Sequence, residues 1–289
     1  MRKAKTTIEG LPIWRDFPNG QRVPGHHFFV GDLHGCLGHL EAALSLIEGL
    51  CPGGDPKRAT LSFLGDYTDR GPFGMACFER AYACIGKFAK VDILPGNHEG
   101  TLVEILQGNE DLLELWGHKY SHWGGQAVMK ELGVDASLPL PEQLRALQGS
   151  VPETYLRHFE RAKSHVVYGD LIGVHAGILP SIAWGDYEAG LRDFLAKGLN
   201  DGAGLHWAWV GKEFLGWRGG WSDEKRLVVH GHSVEIDDPA AADDTLLRSV
   251  SDKILSHKRI NLDLGAVFGG PQAVLEAAGG QYRIHLVRP

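Results

Sequence analysis

Apolar and polar positions switch between two periods along the first hundred residues. The run His27-Phe28-Phe29-Val30 is short and apolar, and Leu37, Leu40, Ala43, Leu44 and Ile47 then follow at helical spacing. The same change recurs twice: Leu61 to Leu64 precedes a helical stretch around Met75 to Phe88, and Val91 to Leu94 precedes one from Glu99 to Leu106. Three strand-to-helix units at intervals of roughly 30 residues predict parallel strands joined by crossover helices, an α/β chain.

From Leu112 to Lys163 the texture becomes helical and polar, broken by Gly124-Gly125, Gly133, Pro139 and Pro141. This stretch, 112–163, is expected to form a helical cap over one end of the sheet, with Ser150 and Glu153 as a capping box. Strand texture resumes at His165 to Tyr168, Leu171 to Val174, Arg226 to Val229, Arg259 to Leu262, Ala273 to Glu276 and Tyr282 to Val287, in part antiparallel. The expected organisation is an N-terminal extension, 1–25, followed by one domain, 26–289.

Composition narrows the partners. A chain of 289 residues, 43% hydrophobic and 22% charged, can bury a full core as one large domain. A formal net charge of -7 argues against a general nucleic-acid binder, which needs clustered Lys and Arg. Cys36, Cys51, Cys77 and Cys84 show no CxxC spacing and read as reduced, mostly buried thiols. The first 25 residues carry no apolar leader, and no stretch approaches about 18 continuous apolar residues. A cytoplasmic protein with no membrane partner is expected.

The candidate chemistry sits where each of the first three strand patterns ends, in Gly31-Asp32-Leu33-His34-Gly35, Gly65-Asp66-Tyr67-Thr68-Asp69-Arg70-Gly71 and Gly96-Asn97-His98-Glu99. Consecutive parallel strands bring such loops to one sheet edge, where open α/β sheets bind ligands. Taken singly, each loop is ordinary turn chemistry, and His175 alone would be a hydrogen-bonded core histidine. Their order, with Gly173-Val174-His175-Ala176-Gly177 and His230-Gly231-His232 downstream, instead points to a hydrolytic site for two divalent metal ions. Asp32 and His34 are assigned to the first ion, Asn97, His175 and His232 to the second, and Asp66 to both. A hydroxide between the ions would be the nucleophile. His98, oriented and made more basic by Asp69, would protonate the leaving oxygen, and Arg70 would grip the phosphoryl group with its planar fork. His26, His27, His118, His122, His206 and His257 have no partner pattern and read as surface or locally hydrogen-bonded. The tryptophans Trp184, Trp207, Trp209, Trp217 and Trp221 read as core packing before a substrate platform.

With these residues in view, the chain resembles the serine/threonine phosphoprotein phosphatase family, a branch of the calcineurin-like metallophosphoesterases that includes symmetrical diadenosine tetraphosphatases. The three loops, the His175 and His232 segments and the closing run Ile260-Asn261-Leu262-Asp263-Leu264-Gly265-Ala266-Val267-Phe268-Gly269-Gly270 carry the resemblance. It implies two mixed β-sheets packed as a sandwich flanked by helices, with manganese foremost, or iron or zinc, in the site. It also favours His232 over His230 as the ligand. The implied activity is a phosphomonoesterase acting on phosphoproteins, with a symmetrical bis(5'-nucleosyl)-tetraphosphatase as the alternative. Two positions depart from the pattern: Pro95 and Gly211 stand where relatives commonly carry arginine, leaving Lys212 or Arg218 as substitutes. Val234 stands where related phosphodiesterases favour a further histidine, which weakens a nuclease reading.

Overall fold

A computed structural model describes residues 12–182, 207–209, 211–218 and 225–289. Its strands are β1 (Arg15–Asp16), β2 (Val23–Val30), β3 (Thr60–Phe63), β4 (Lys90–Ile93), β5 (His165–Tyr168), β6 (Leu171–Val174), β7 (Leu227–His230), β8 (Arg259–Asn261), β9 (Gln272–Gly279) and β10 (Gln281–Val287). They form a six-stranded sheet, β1-β10-β9-β2-β3-β4, and a four-stranded sheet, β5-β6-β7-β8. Strands β2, β3 and β4 are parallel, as are β6, β7 and β8, while β9, β10, β1 and β5 pair antiparallel, so both sheets are mixed.

The two-residue period of a strand sorts the core into layers. Phe28, Val30, Leu61, Phe63 and Val274 pack towards the helices, among them Leu37–Leu50 and Gly74–Tyr82. Phe29, Ala273, Leu275 and Ala277 point the other way and meet Val166, Leu171, Leu227, Val229 and Ile260 of the smaller sheet. The smaller sheet's outer face, Ile172, Val174 and Val228, is covered by Ile178, Trp207 and Phe214. The sandwich is therefore closed on both outer faces, which is why its parallel strands read as continuous apolar runs.

Parallel strands place their carboxyl ends at one edge of each sheet. The ends of β2, β3 and β4 lead into the three loops, and those of β6, β7 and β8 lead towards His175, His232 and Asp263. Backbone bonds tie the loops together: Leu33 and His34 donate to the Asp66 carbonyl at 3.0 and 2.8 Å, and Gly231 donates to that of His175 at 2.7 Å.

Two sequence expectations change here. Residues 12–25 are not separate from the sheet, because β1 pairs with β10, β2 begins at Val23, and Phe17 is buried against Tyr282. Ser150 caps no helix: it is the last residue of Leu140–Ser150, and Pro152 precedes the helix Glu153–Phe159. The cap stretch also holds helices Glu110–Gly117 and Gln126–Glu131. Its Leu113, Trp116, Val128, Leu147, Tyr155 and Phe159 belong to the same apolar cluster as β2 and β3, so it is an integral layer of the fold. All four cysteines are free, three of them buried. Among the described residues no helix is long and apolar enough to cross a membrane.

Candidate metal centre

Six side chains from the loops and strand ends gather around Asp66. Its Oδ2 lies 3.4 Å from His34 Nε2, 3.4 Å from His175 Nε2 and 3.9 Å from His98 Nε2. Asn97 Oδ1 lies 2.9 Å from both His175 Nε2 and His232 Nδ1. Asp32 accepts the His232 backbone N–H at 3.1 and 3.0 Å on its two oxygens. Ligating atoms thus gather in two groups, His34, Asp66 and His98, and Asp66, His175 and His232, with Asp66 common to both.

The donor set fits divalent metals. His34 Nδ1 donates to the Thr68 carbonyl and His175 Nδ1 to that of Leu64, each at 2.9 Å, which leaves each Nε2 turned to the cluster, the arrangement typical of metal-bound imidazole. Burial would raise Asp66, yet His175, His98 and His34 hold it well below the usual carboxylate range. Burial would lower His175, yet Asp66 holds it up to about 9. Burial and the neighbouring Asp263 push Asp32 well above its ordinary value. Burial instead lowers His34 well below its ordinary value and His232 to about 3, which leaves both imidazoles neutral, the form that binds metal. Of the residues expected to hold metal, His34 falls with Asp66 in one group and His175 and His232 fall with Asp66 in the other, which Asn97 Oδ1 joins; Asp32 falls in neither group and accepts the His232 backbone N–H, while His98 stands with His34.

Backbone geometry concentrates at the same place. Among the described residues, six non-glycine residues have positive φ, and five of them are His34 (41°), Asp66 (53°), Asp69 (67°), Arg70 (63°) and His232 (68°); the sixth, Lys258, closes a helix. Left-handed backbone costs an L-residue about 1–2 kcal/mol, so the surroundings must enforce it. Glu99 does so for the second loop. One of its oxygens accepts the backbone N–H groups of Asp66 and Gly96 at 2.7 and 2.8 Å. The other accepts those of Tyr67 and Thr68 at 2.9 and 3.2 Å and the Thr68 hydroxyl at 3.2 Å. Gly231 is required beside Asp32, since a Cβ there would sit 1.8 Å from Asp32 Oδ1.

His98 Nδ1 and Asp69 Oδ2 are 2.6 Å apart, and the Trp116 indole donates to the same oxygen at 2.8 Å. Burial pushes Asp69 up and His98 down to about 4, so desolvation runs against the gain in basicity expected for His98. Arg70 is exposed; its guanidinium donates to His34 Nε2 and lies 6.0 Å from the Phe268 ring centroid.

The remaining expected residues divide between the site and the surrounding structure. Lys212 is exposed at the start of the short helix Lys212–Leu215. Arg218 lies near His257, whose imidazole is lowered first by burial and then by Lys253, Arg259 and Arg218. His230 is taken up by structure: its Nδ1 donates to the Gly231 carbonyl at 3.0 Å, and its Nε2 accepts from Arg259 at 3.1 Å. The fully buried Arg259 also pairs with Glu235 and so braces the loop bearing His232. Trp207 is core, but Trp209 also faces the site, 5.3 Å from Trp123 and 6.0 Å from His232 between ring centroids. Trp123 stands 5.4 Å from His98. Trp184, Val210, Trp221 and His206 lie outside the described residues.

A family model described as calcineurin-like phosphoesterase matches residues 28–275. The chain belongs to the calcineurin-like phosphoesterases. This phosphoesterase is 26% identical over 249 residues to the bis(5'-nucleosyl)-tetraphosphatase PrpE (asymmetrical) of Bacillus subtilis (strain 168), covering 83% of this chain and 86% of the relative. The protein of the same name from Oceanobacillus iheyensis is 24% identical, covering 83% and 84%. In fold, the phosphoesterase resembles the crystal structure of a cold-active protein-tyrosine phosphatase of a psychrophilic Shewanella species, with a TM-score of 0.50 and 15% identity over 92% of this chain and 81% of that one.

Proposed function

We propose that this phosphoesterase hydrolyses dinucleoside polyphosphates. Relatives named for that activity align with 83% of the chain, and this observation carries the reading. It reverses the order drawn from sequence, in which phosphoproteins came first, and the relatives' names say asymmetrical where the sequence suggested symmetrical cleavage.

When bound, two divalent ions would supply Lewis acidity towards a phosphoryl oxygen and a water of lowered pKa. The chain supplies the remainder. Asp32, His34, Asp66, Asn97, His175 and His232 hold the ions. Arg70 grips phosphoryl oxygens and stabilises their charge. Asp69 orients the His98 ring, which delivers the proton to the departing oxygen. Trp123 and Trp209 form an aromatic wall beside His98 and His232 on which a nucleobase can stack.

With manganese added, kcat/KM for diadenosine tetraphosphate should exceed that for a phosphoserine peptide by about 100-fold, roughly 2.7 kcal/mol, with ATP and AMP as products by chromatography. Preference for the peptide would reverse the assignment. Because Pro95 and Gly211 offer no guanidinium, Arg70→Ala should lower kcat/KM at least about tenfold, roughly 1.4 kcal/mol. A smaller loss in steady-state assays would mean that another group grips the phosphate.

A further inference from the structure

A cleft of about 490 Å³ opens beside Arg70, lined by Arg70, Pro72, Phe73, Ala127, Lys130 and Glu131. Its charge is biased. The one acid in the lining, Glu131, accepts the backbone N–H groups of Met75 and Ala76 at 2.9 and 3.0 Å, so its carboxylate is committed to the first turn of the helix Gly74–Tyr82. Arg70 and Lys130 are both exposed, on a chain whose formal net charge is -7. Phe73 leaves 50% of its surface open, an unusual exposure for a phenylalanine. Two cations and an open aromatic face are what a nucleoside phosphate needs: charge for the phosphates and a flat apolar surface for the base.

Arg70 joins this cleft to the candidate metal centre. Its backbone N–H donates to the Gly124 carbonyl at 3.1 Å, and a Cβ on Gly124 would come within 2.7 Å of Arg70 N, so the cap segment fixes where Arg70 stands. The same guanidinium donates to His34 while lining the cleft. A phosphate chain gripped by Arg70 therefore borders both the candidate metal centre and the cleft that Lys130 lines.

We propose that this cleft receives the part of the dinucleoside polyphosphate beyond the hydrolysed linkage, with Lys130 binding an outlying phosphate and Phe73 stacking the distal base. The inference rests on the proposed function and adds what selects a long substrate over a simple phosphate ester. The cap helix Gln126–Glu131 thereby becomes a specificity element, since Ala127 and Lys130 share its cleft-facing side.

The test compares wild type, Lys130→Glu, Lys130→Arg and Phe73→Ala on diadenosine tetraphosphate and on p-nitrophenyl phosphate, which has no second nucleotide to place. Lys130→Glu should raise KM for the dinucleotide about tenfold, Phe73→Ala about fivefold, and Lys130→Arg less than twofold. Activity on the aryl phosphate should stay within about twofold throughout. An unchanged dinucleotide KM in Lys130→Glu and Phe73→Ala, or an equal loss on both substrates, would overturn the cleft assignment while leaving the proposed function standing. A wild-type enzyme that prefers phosphoserine peptide would overturn the proposed function and the cleft assignment with it.

Discussion

Asp66→Asn should reduce kcat/KM by about 10³-fold or more, at least roughly 4 kcal/mol of transition-state stabilisation. The substitution keeps the shape of the side chain and removes its charge. Asp66 Oδ2 faces His34, His98 and His175 together, and this carboxylate belongs to both candidate ligand groups. The other oxygen, Oδ1, accepts the His98 backbone N–H at 3.2 Å, so an amide would keep its oxygen there and turn its NH2 towards both groups, and both sites should weaken at once. Titration calorimetry with manganese should show two weakened sites, and the residual rate should not recover fully in excess metal. Near wild-type turnover would show that Asp66 is not shared.

Glu99→Gln should destabilise the fold by about 3–5 kcal/mol, because buried donors left without an acceptor cost about 1–3 kcal/mol each. Four backbone N–H groups and one hydroxyl point at the two carboxylate oxygens, with donors on both sides. A glutamine in either orientation sets its own NH2 against at least two of them. For a chain of this size the melting temperature should fall by roughly 6–15 °C. Activity should fall more steeply than unfolding alone explains, since the same bonds hold the left-handed turn that aims Asp66. An unchanged melting temperature would mean that the loop finds another acceptor.

The parallel pairing of the first three strands and the loop chemistry were legible because period and punctuation are local. Period, length and punctuation place β3 and β4 within one residue and the end of β2 at Val30, though β2 begins four residues before the apolar run, at Val23; the loops begin where apolar texture stops. The side chains that gather at Asp66 were legible because candidate ligands keep their identity whatever surrounds them. Residues acting through the backbone were harder to read. Glu99 stands three residues after Gly96, the position of a capping-box acid, but spacing does not reveal that it also gathers the second loop. Trp116 lies on an apolar helix face and reads as core; only the fold shows its indole reaching Asp69. Arg259 gave no signal, since an arginine in a strand is ordinarily solvated. Ser150 and Glu153 misled because Pro152, fixed near a helical φ, starts the helix with no side-chain cap.

The left-handed backbone of His34, Asp66, Asp69, Arg70 and His232 bears on how the chain persists through evolution. At about 1 kcal/mol apiece at the least, their combined strain approaches the lower end of the roughly 5–15 kcal/mol that holds a typical domain folded. Glycine at any of these five positions would relieve part of it. A lineage with no use for the reaction would gain by such replacements and should drift towards them. All five positions carry a polar side chain of the candidate site, so the proposed chemistry would be held in place at a cost to the chain's own stability.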